Sequence, residues 1–349
     1  MATKTIFQPM LNAIPDELVP RFDHMYVEYY NKYNVGRLHT HQVPIEEYRA
    51  NPSKYTIQYG RAEGGEVFRV TEQKCTVKDG EINVRIFEPS PVDQSSSLRP
   101  AYVNYHGGGW TFGSLAMDDP YCRRVCREVG AVCFDIEYRL APEHPFPTPI
   151  EDSWTALQWV FEHKAAEFHV DPNRIAVGGV SAGGHLSAVM AHFARDAGLP
   201  LAFQMLAVPG VDLNTVTTAG EILPSNPWNS YRELEFTAAL PVSRITFVLN
   251  QFLGNPRQKG VENDWRASPI NAPNFKTLAP ALVITAELCP LRDEGAAYVE
   301  KLKENGNQVE HIVFKGASHP FMQYDGIIDA GRQYNIETIR ALKTALGAK

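Results

Sequence analysis

Polar and apolar residues alternate over 66–77 and 81–87, on either side of Lys78-Asp79-Gly80, which predicts a two-stranded hairpin. Further along, short apolar runs at 101–105, 131–136, 174–177, 201–208, 281–286 and 309–314 read as strands. Helical periodicity separates several of them, at 150–161, 184–194, 292–305 and 333–346; in the first of these Trp154, Leu157 and Phe161 share one face. Alternating strands and helices predict an α/β protein, a mostly parallel central sheet with helices on both faces. The first fifty residues are rich in aromatic rings (Phe22, His24, Tyr26, Tyr29, Tyr30, Tyr33) and read as short helices between prolines and glycines. Between 210 and 275 the rhythm breaks at Pro224, Pro227, Pro241, Pro256, Pro269 and Pro273, so this stretch reads as an insertion over the C-terminal edge of the sheet, the edge where such sheets place their sites. The expected division is an N-terminal segment 1–55, core 56–209, insertion 210–275 and core 276–349. No internal repeat is visible, and Ser95-Ser96-Ser97 reads as a short polar loop.

A length of 349 residues with 44% hydrophobic side chains allows two domains, or one large α/β domain with insertions, and argues against a disordered chain. Forty acidic against 33 basic residues, with no Lys/Arg-rich block, leave no electrostatic footprint for nucleic acid. The stretch 175–194 carries no formal charge, but four glycines and two histidines make it too polar for a bilayer, and no membrane span is expected. The N-terminus is broken by Pro9, Pro15 and Pro20 and shows no secretory leader. Five cysteines at 75, 122, 126, 133 and 289 fit neither zinc nor CxxC spacing and read as reduced thiols, so a cytoplasmic protein is expected.

Three motifs carry chemistry. Gly179-Val180-Ser181-Ala182-Gly183 follows a strand and opens a helix, the context in which G-x-S-x-G lifts a serine hydroxyl onto a sharp turn. His106-Gly107-Gly108-Gly109-Trp110 follows the strand 101–105, and its glycines let backbone N–H groups approach a developing oxyanion. His319 stands in the loop after the last strand, within reach of Ser181 as a neutral base. Nucleophile first and histidine last is the chain order of α/β-hydrolases. No ligand cluster or phosphate loop appears, so no metal or organic cofactor is expected.

With these motifs the sequence resembles the hormone-sensitive-lipase-like carboxylesterases of the α/β-hydrolase fold. The likeness extends to the segment from Tyr138-Arg139-Leu140-Ala141-Pro142 to Pro147, to Asp171-Pro172-Asn173-Arg174, and to Leu291-Arg292-Asp293-Glu294-Gly295. It implies that residues 1–55 and 210–275 form a cap, and that the N–H groups of Gly107, Gly108 and Ala182 make the oxyanion hole.

At two positions the sequence departs from the family pattern. The catalytic acid of the family is the aspartate of an Asp-Pro-Leu-Arg-Asp-Glu stretch, and Cys289 occupies its place here. A neutral thiol is a poor substitute for the carboxylate that fixes the histidine tautomer and stabilises imidazolium. Glu287 or Asp293 could supply the missing charge, or Cys289 could act as a thiolate beside His319. The second departure is Val180, where the family has an acidic residue.

The expected function is a serine carboxylesterase-type hydrolase forming an acyl-serine on Ser181, with His319 as proton relay and Cys289 at the acid position. The substrate is a small carbonyl compound, a small or medium ester with an apolar or aromatic body. Tyr26, Tyr29, Tyr30 and Trp228 serve either as substrate contacts or as ordinary core. The alternative is a non-hydrolytic enzyme of specialised metabolism using His319 and the oxyanion hole for elimination, cyclisation, condensation or epimerisation beside a carbonyl. A non-catalytic receptor, as in the gibberellin receptors that resemble the same family, is disfavoured because those lack the histidine. The sequence does not fix the oligomeric state, a homodimer included.

Overall fold

The computed structural model describes residues 10–92 and 97–348; Ser95 and Ser96 of the expected polar loop lie outside the described residues. Eight strands form one sheet: β1 (Arg69–Val77), β2 (Gly80–Glu88), β3 (Arg99–Tyr105), β4 (Val132–Ile136), β5 (Val170–Val180), β6 (Leu201–Ala207), β7 (Ala281–Leu288) and β8 (Val309–Ser318). Their spatial order is β1-β2-β4-β3-β5-β6-β7-β8. The first two strands are the expected hairpin, and β2 also runs antiparallel to β4; all other pairs are parallel. The longer helices are α1 (His24–Tyr33), α2 (Leu115–Val129), α3 (Thr148–Trp159), α4 (Ala182–Asp196), α5 (Val242–Leu253), α6 (Arg292–Glu304) and α7 (Asp329–Leu346). Helices α2 and α7 pack on each other, as do α3 and α4, and each pair covers strands of the sheet. Among the described residues no helix is long and apolar enough to cross a membrane.

Helix α2 lay outside the periodic pattern because Pro120 interrupts it and cysteines supply much of its inner face. Leu115, Cys122, Val125, Cys126 and Val129 are buried at helical spacing against β4, so burial offsets the missing N–H. All five cysteines are free and buried.

The chain reverses direction across the sheet at β3, with β4 on one side and β5 on the other. Such a switch point opens a crevice beyond the C-terminal ends of the strands. Tyr105 of β3 pairs with Gly179 of β5, so the HGGG loop and the serine turn leave the sheet side by side. Their closeness depends on two missing side chains. A Cβ on Gly179 would stand 2.2 Å from the Tyr105 carbonyl oxygen, and one on Gly183 would stand 1.8 Å from the same atom. The first turn of α4 therefore lies directly on the backbone of β3. Replacing Gly183 by Ala must push this turn off the strand. We expect Gly183→Ala to lower unfolding free energy in urea by about 3 kcal/mol or more. A loss under about 1 kcal/mol would mean that the contact is softer than it looks.

Candidate active site

Ser181 sits between β5 and α4 with φ 59° and ψ −114°, a backbone conformation costly for a residue with a Cβ. Its amide donates to the Ala207 carbonyl at 2.8 Å, and its carbonyl accepts from the His185 amide at 2.9 Å, so both sides of the turn are pinned. Beside it, a Cβ on Gly107 would come within 3.8 Å of Ser181 Cβ, and Gly108 takes φ 112° under the Phe112 carbonyl. Among the described residues the N–H groups of Gly107, Gly108 and Ala182 have no hydrogen-bond acceptor. Behind the loop, His106 stacks on Tyr138 with ring centroids 4.3 Å apart, and the Tyr138 hydroxyl donates to the His106 carbonyl at 2.7 Å.

A register shift on the other side of the crevice brings Cys289 and His319 together. Ala286 pairs with Phe314, but Leu288 pairs with Ser318, so β8 carries extra residues around Gly316 at φ 63°. The next residue of each strand is then Cys289 and His319, with Sγ 3.1 Å from Nδ1. Glu287 is used by the irregularity itself: it accepts the Gly316 amide at 2.9 Å and lies 3.8 Å from the Arg21 guanidinium. Asp293 pairs with Arg292 at 2.8 Å and accepts the Ser230 amide at 2.8 Å. Of the three residues considered as partners for the imidazole, only Cys289 touches it.

Burial governs the protonation of this pair. It holds the His319 imidazole down to about 3, with the Arg244 cation adding to the effect, so the ring is neutral near pH 7. Burial likewise pushes the Cys289 thiol well above the ordinary thiol range, and the nearby Glu294 carboxylate reinforces it. Cys289 is therefore a thiol, not a thiolate. Glu294 is fully buried, accepting the Val211 and Asp212 amides at 2.7 and 3.3 Å and the Tyr231 hydroxyl at 2.9 Å.

Ser181, His319 and the loop glycines line one cleft of about 1040 Å³, including its open mouth. Its remaining wall is mostly apolar, built by Tyr48, Phe112, Leu213, Ile245, Val248 and Leu249 among others. Ser181 and His319 share the cleft without a hydrogen bond between them, and such contacts are often long until substrate binds. Val180 lines the same wall, where an acidic residue would have added charge. Tyr26, Tyr29, Tyr30 and Trp228 do not line it, which decides between their two readings in favour of ordinary packing over substrate contact. Tyr26 lies between Phe22 and Tyr30 and meets Tyr324 edge-on, while Trp228 donates to Asp212 at 2.9 Å. Tyr26 and Tyr30 are buried core, and Tyr29 and Trp228 pack half-buried against it. Among the described residues no group of three His, Cys, Asp or Glu is placed to hold a metal ion.

The sequence pattern did not single out Arg244, the one formally charged residue lining the cleft among those described. The available signal was a lone cation in the otherwise uncharged sequence of α5.

Residues 102–323 match the sequence model of the α/β-hydrolase fold. The chain is 33% identical over 358 residues to an AB hydrolase superfamily protein of Schizosaccharomyces pombe, across 98% of both chains. It is 38% identical over 280 residues to the carboxylesterase NlhH of Mycobacterium tuberculosis, covering 79% of this chain and 83% of the relative. A solved ester hydrolase from the metagenome of Lake Arreo, complexed with a bipyridine phosphonate derivative, aligns with a TM-score of 0.79 and 30% identity over 96% of this chain and 100% of that one. Fold, relatives and matched segment agree: the chain belongs to the hormone-sensitive-lipase-like carboxylesterase group of the α/β-hydrolase family and is an enzyme of the carboxylic ester hydrolase kind.

Proposed function

We propose that the protein hydrolyses carboxylic esters through an acyl-serine on Ser181. The observation that carries this reading is the meeting of Ser181, His319 and the free amides of Gly107, Gly108 and Ala182 in one apolar cleft. Ser181 Oγ attacks the ester carbonyl carbon while His319 Nε2 takes its proton. The carbonyl oxygen becomes an oxyanion facing the three N–H groups, where removal of one such donor costs about 3–4 kcal/mol. The C–O bond then breaks, and His319 returns the proton to the leaving alcohol. Water repeats the attack on the acyl-serine and frees the acid.

Cys289 has a positioning role in this cycle. Its sulfur can accept the Nδ1 hydrogen and hold the ring with Nε2 bare, the tautomer needed for a base. It brings no negative charge to balance imidazolium, so turnover is limited at the step where His319 becomes charged. The Lake Arreo hydrolase was solved with a phosphonate derivative, and an organophosphorus probe is the natural test of the serine here.

Three outcomes are expected. A fluorophosphonate adds one covalent adduct, mapped to Ser181 by peptide mass spectrometry and lost in Ser181→Ala; a folded protein that resists labelling leaves the non-hydrolytic alternative in its place. Cys289→Asp raises kcat on a short 4-nitrophenyl ester at pH 8 by on the order of 10²-fold, the converse of the ~10⁴ lost when a serine-protease aspartate becomes neutral. A fall in kcat would instead assign the thiol a chemical part. Because the His319 base form is lost only as pH drops toward about 3, kcat/KM stays flat between pH 8 and 5; Cys289→Asp, by favouring imidazolium, moves the acid limb upward into that window. A wild-type limb centred near 6.5 would contradict this.

A further inference from the structure

Arg244 is a cation without an anion. It lines the same cleft as Ser181 and His319 from the first turn of α5, and among the described residues no Asp or Glu pairs with it. Among the described residues its one side-chain hydrogen bond runs from Nη1 to the Ala239 carbonyl at 2.9 Å. That bond anchors the guanidinium and leaves Nη2 and Nε, two donors of a planar fork, for another partner. A position in the first turn of a helix adds to the positive potential instead of cancelling it.

The groups around Arg244 cannot neutralise it. The 3-10 turn Thr40–Gln42 packs against α5, and burial first, then the guanidinium, holds His39 near 4 and His41 near 3, so both rings are neutral. Tyr30, on α1, is also within electrostatic reach, and burial keeps its phenol protonated up to about 12. Thr40 lines the cleft as well, and its buried hydroxyl has no hydrogen-bond partner among the described residues. A fork of N–H donors and an unused hydroxyl thus border an apolar space with no negative charge.

We propose that the substrate of this site carries a carboxylate, which Arg244 and Thr40 bind while the ester carbonyl lies at Ser181. One cation in an apolar wall matches a single negative charge, and the free edge of the guanidinium matches the two oxygens of a carboxylate. The inference rests on the ester-hydrolase reading and adds the chemistry of its substrate. It also bears on the reaction. An uncompensated arginine disfavours imidazolium at His319, and Cys289 offers no balancing charge. A bound carboxylate supplies that balance, so a charged ester is favoured in turnover as well as in binding.

The test uses matched ester pairs: mono-4-nitrophenyl glutarate against 4-nitrophenyl butyrate, with the charge on the acyl side, and 4-acetoxybenzoate against phenyl acetate, with the charge on the leaving group. The wild-type enzyme is expected to prefer the charged member of one pair by at least 10-fold in kcat/KM. Arg244→Met should invert the preference, slowing the charged ester by about 100-fold and speeding the neutral one several-fold, while Arg244→Lys retains part of it. Neutral esters favoured in both pairs, or a ratio that Arg244→Met does not change, would overturn the proposal. Calorimetric titration of Ser181→Ala with glutarate and with neutral glutaramide separates this from the hydrolase reading. If no ester is turned over and Ser181 resists labelling, the hydrolase reading fails, yet glutarate binding at least 10-fold tighter than glutaramide, lost with Arg244→Met, still supports the carboxylate site. Equal or absent binding of the two ligands overturns it.

Discussion

The carbonyl oxygen of Tyr105 occupies the space where a side chain on Gly179 or Gly183 would have to stand. Strand β3, strand β5 and helix α4 therefore meet backbone to backbone, and the rest of the site is arranged around that contact. It sets the HGGG loop beside the serine turn, with the Gly107 backbone next to the Ser181 side chain. It also holds Ser181 in a φ/ψ region that an unconstrained serine would leave, with help from hydrogen bonds to Ala207 and His185. A wider separation between strand and helix would relax the turn and draw the Gly107 backbone away from the Ser181 side chain.

The second half of the site is built differently. The parallel strands β7 and β8 would end in simple register but for the irregularity around Gly316, which lets Ser318 face Leu288 and sets His319 against Cys289. Glu287 stabilises that irregularity by accepting the Gly316 amide, and so is unavailable to the imidazole. On the proposed reading one half of the site supplies dipoles and the other a base, but among the described residues neither brings a carboxylate to the ring. The groups that reach His319 are a neutral sulfur and a distant cation.

Much of this was legible in the chain. The strands are apolar runs bounded by turns, and the serine and glycine motifs mark the strand ends because only small residues fit there. Helix α2 was not legible: Pro120 broke the period, and Cys122 and Cys126 act as apolar residues only once buried against β4. Which of Cys289, Glu287 and Asp293 turns toward the histidine depends on a strand irregularity that residue identity does not announce. The aromatic residues of α1 are equally at home in a core or a binding wall, and only packing against Tyr324 decides between them. Arg244 carried a signal, a single charge in an apolar helix, but its meaning rests on the absence of a carboxylate among its described neighbours, a fact of three dimensions.

A thiol at position 289 also has a consequence for stability. Cys289 is 1% exposed and lies within electrostatic reach of Glu294, whose carboxyl burial pushes well above the usual range, with Asp212 adding to the effect. A second carboxylate at 289 would share this desolvated region with Glu294, with Arg292 the nearby cation and already paired to Glu233 and Asp293. Like charges in a low-dielectric pocket repel, so an aspartate there would have to be stabilised by imidazolium itself. Cysteine removes that repulsion and keeps a ring-orienting contact at 3.1 Å, while giving up the charge that would favour a protonated His319. The residue that avoids charge repulsion in this pocket is therefore the one that leaves the histidine without a negative partner, and on the proposed reading that partner arrives with the substrate.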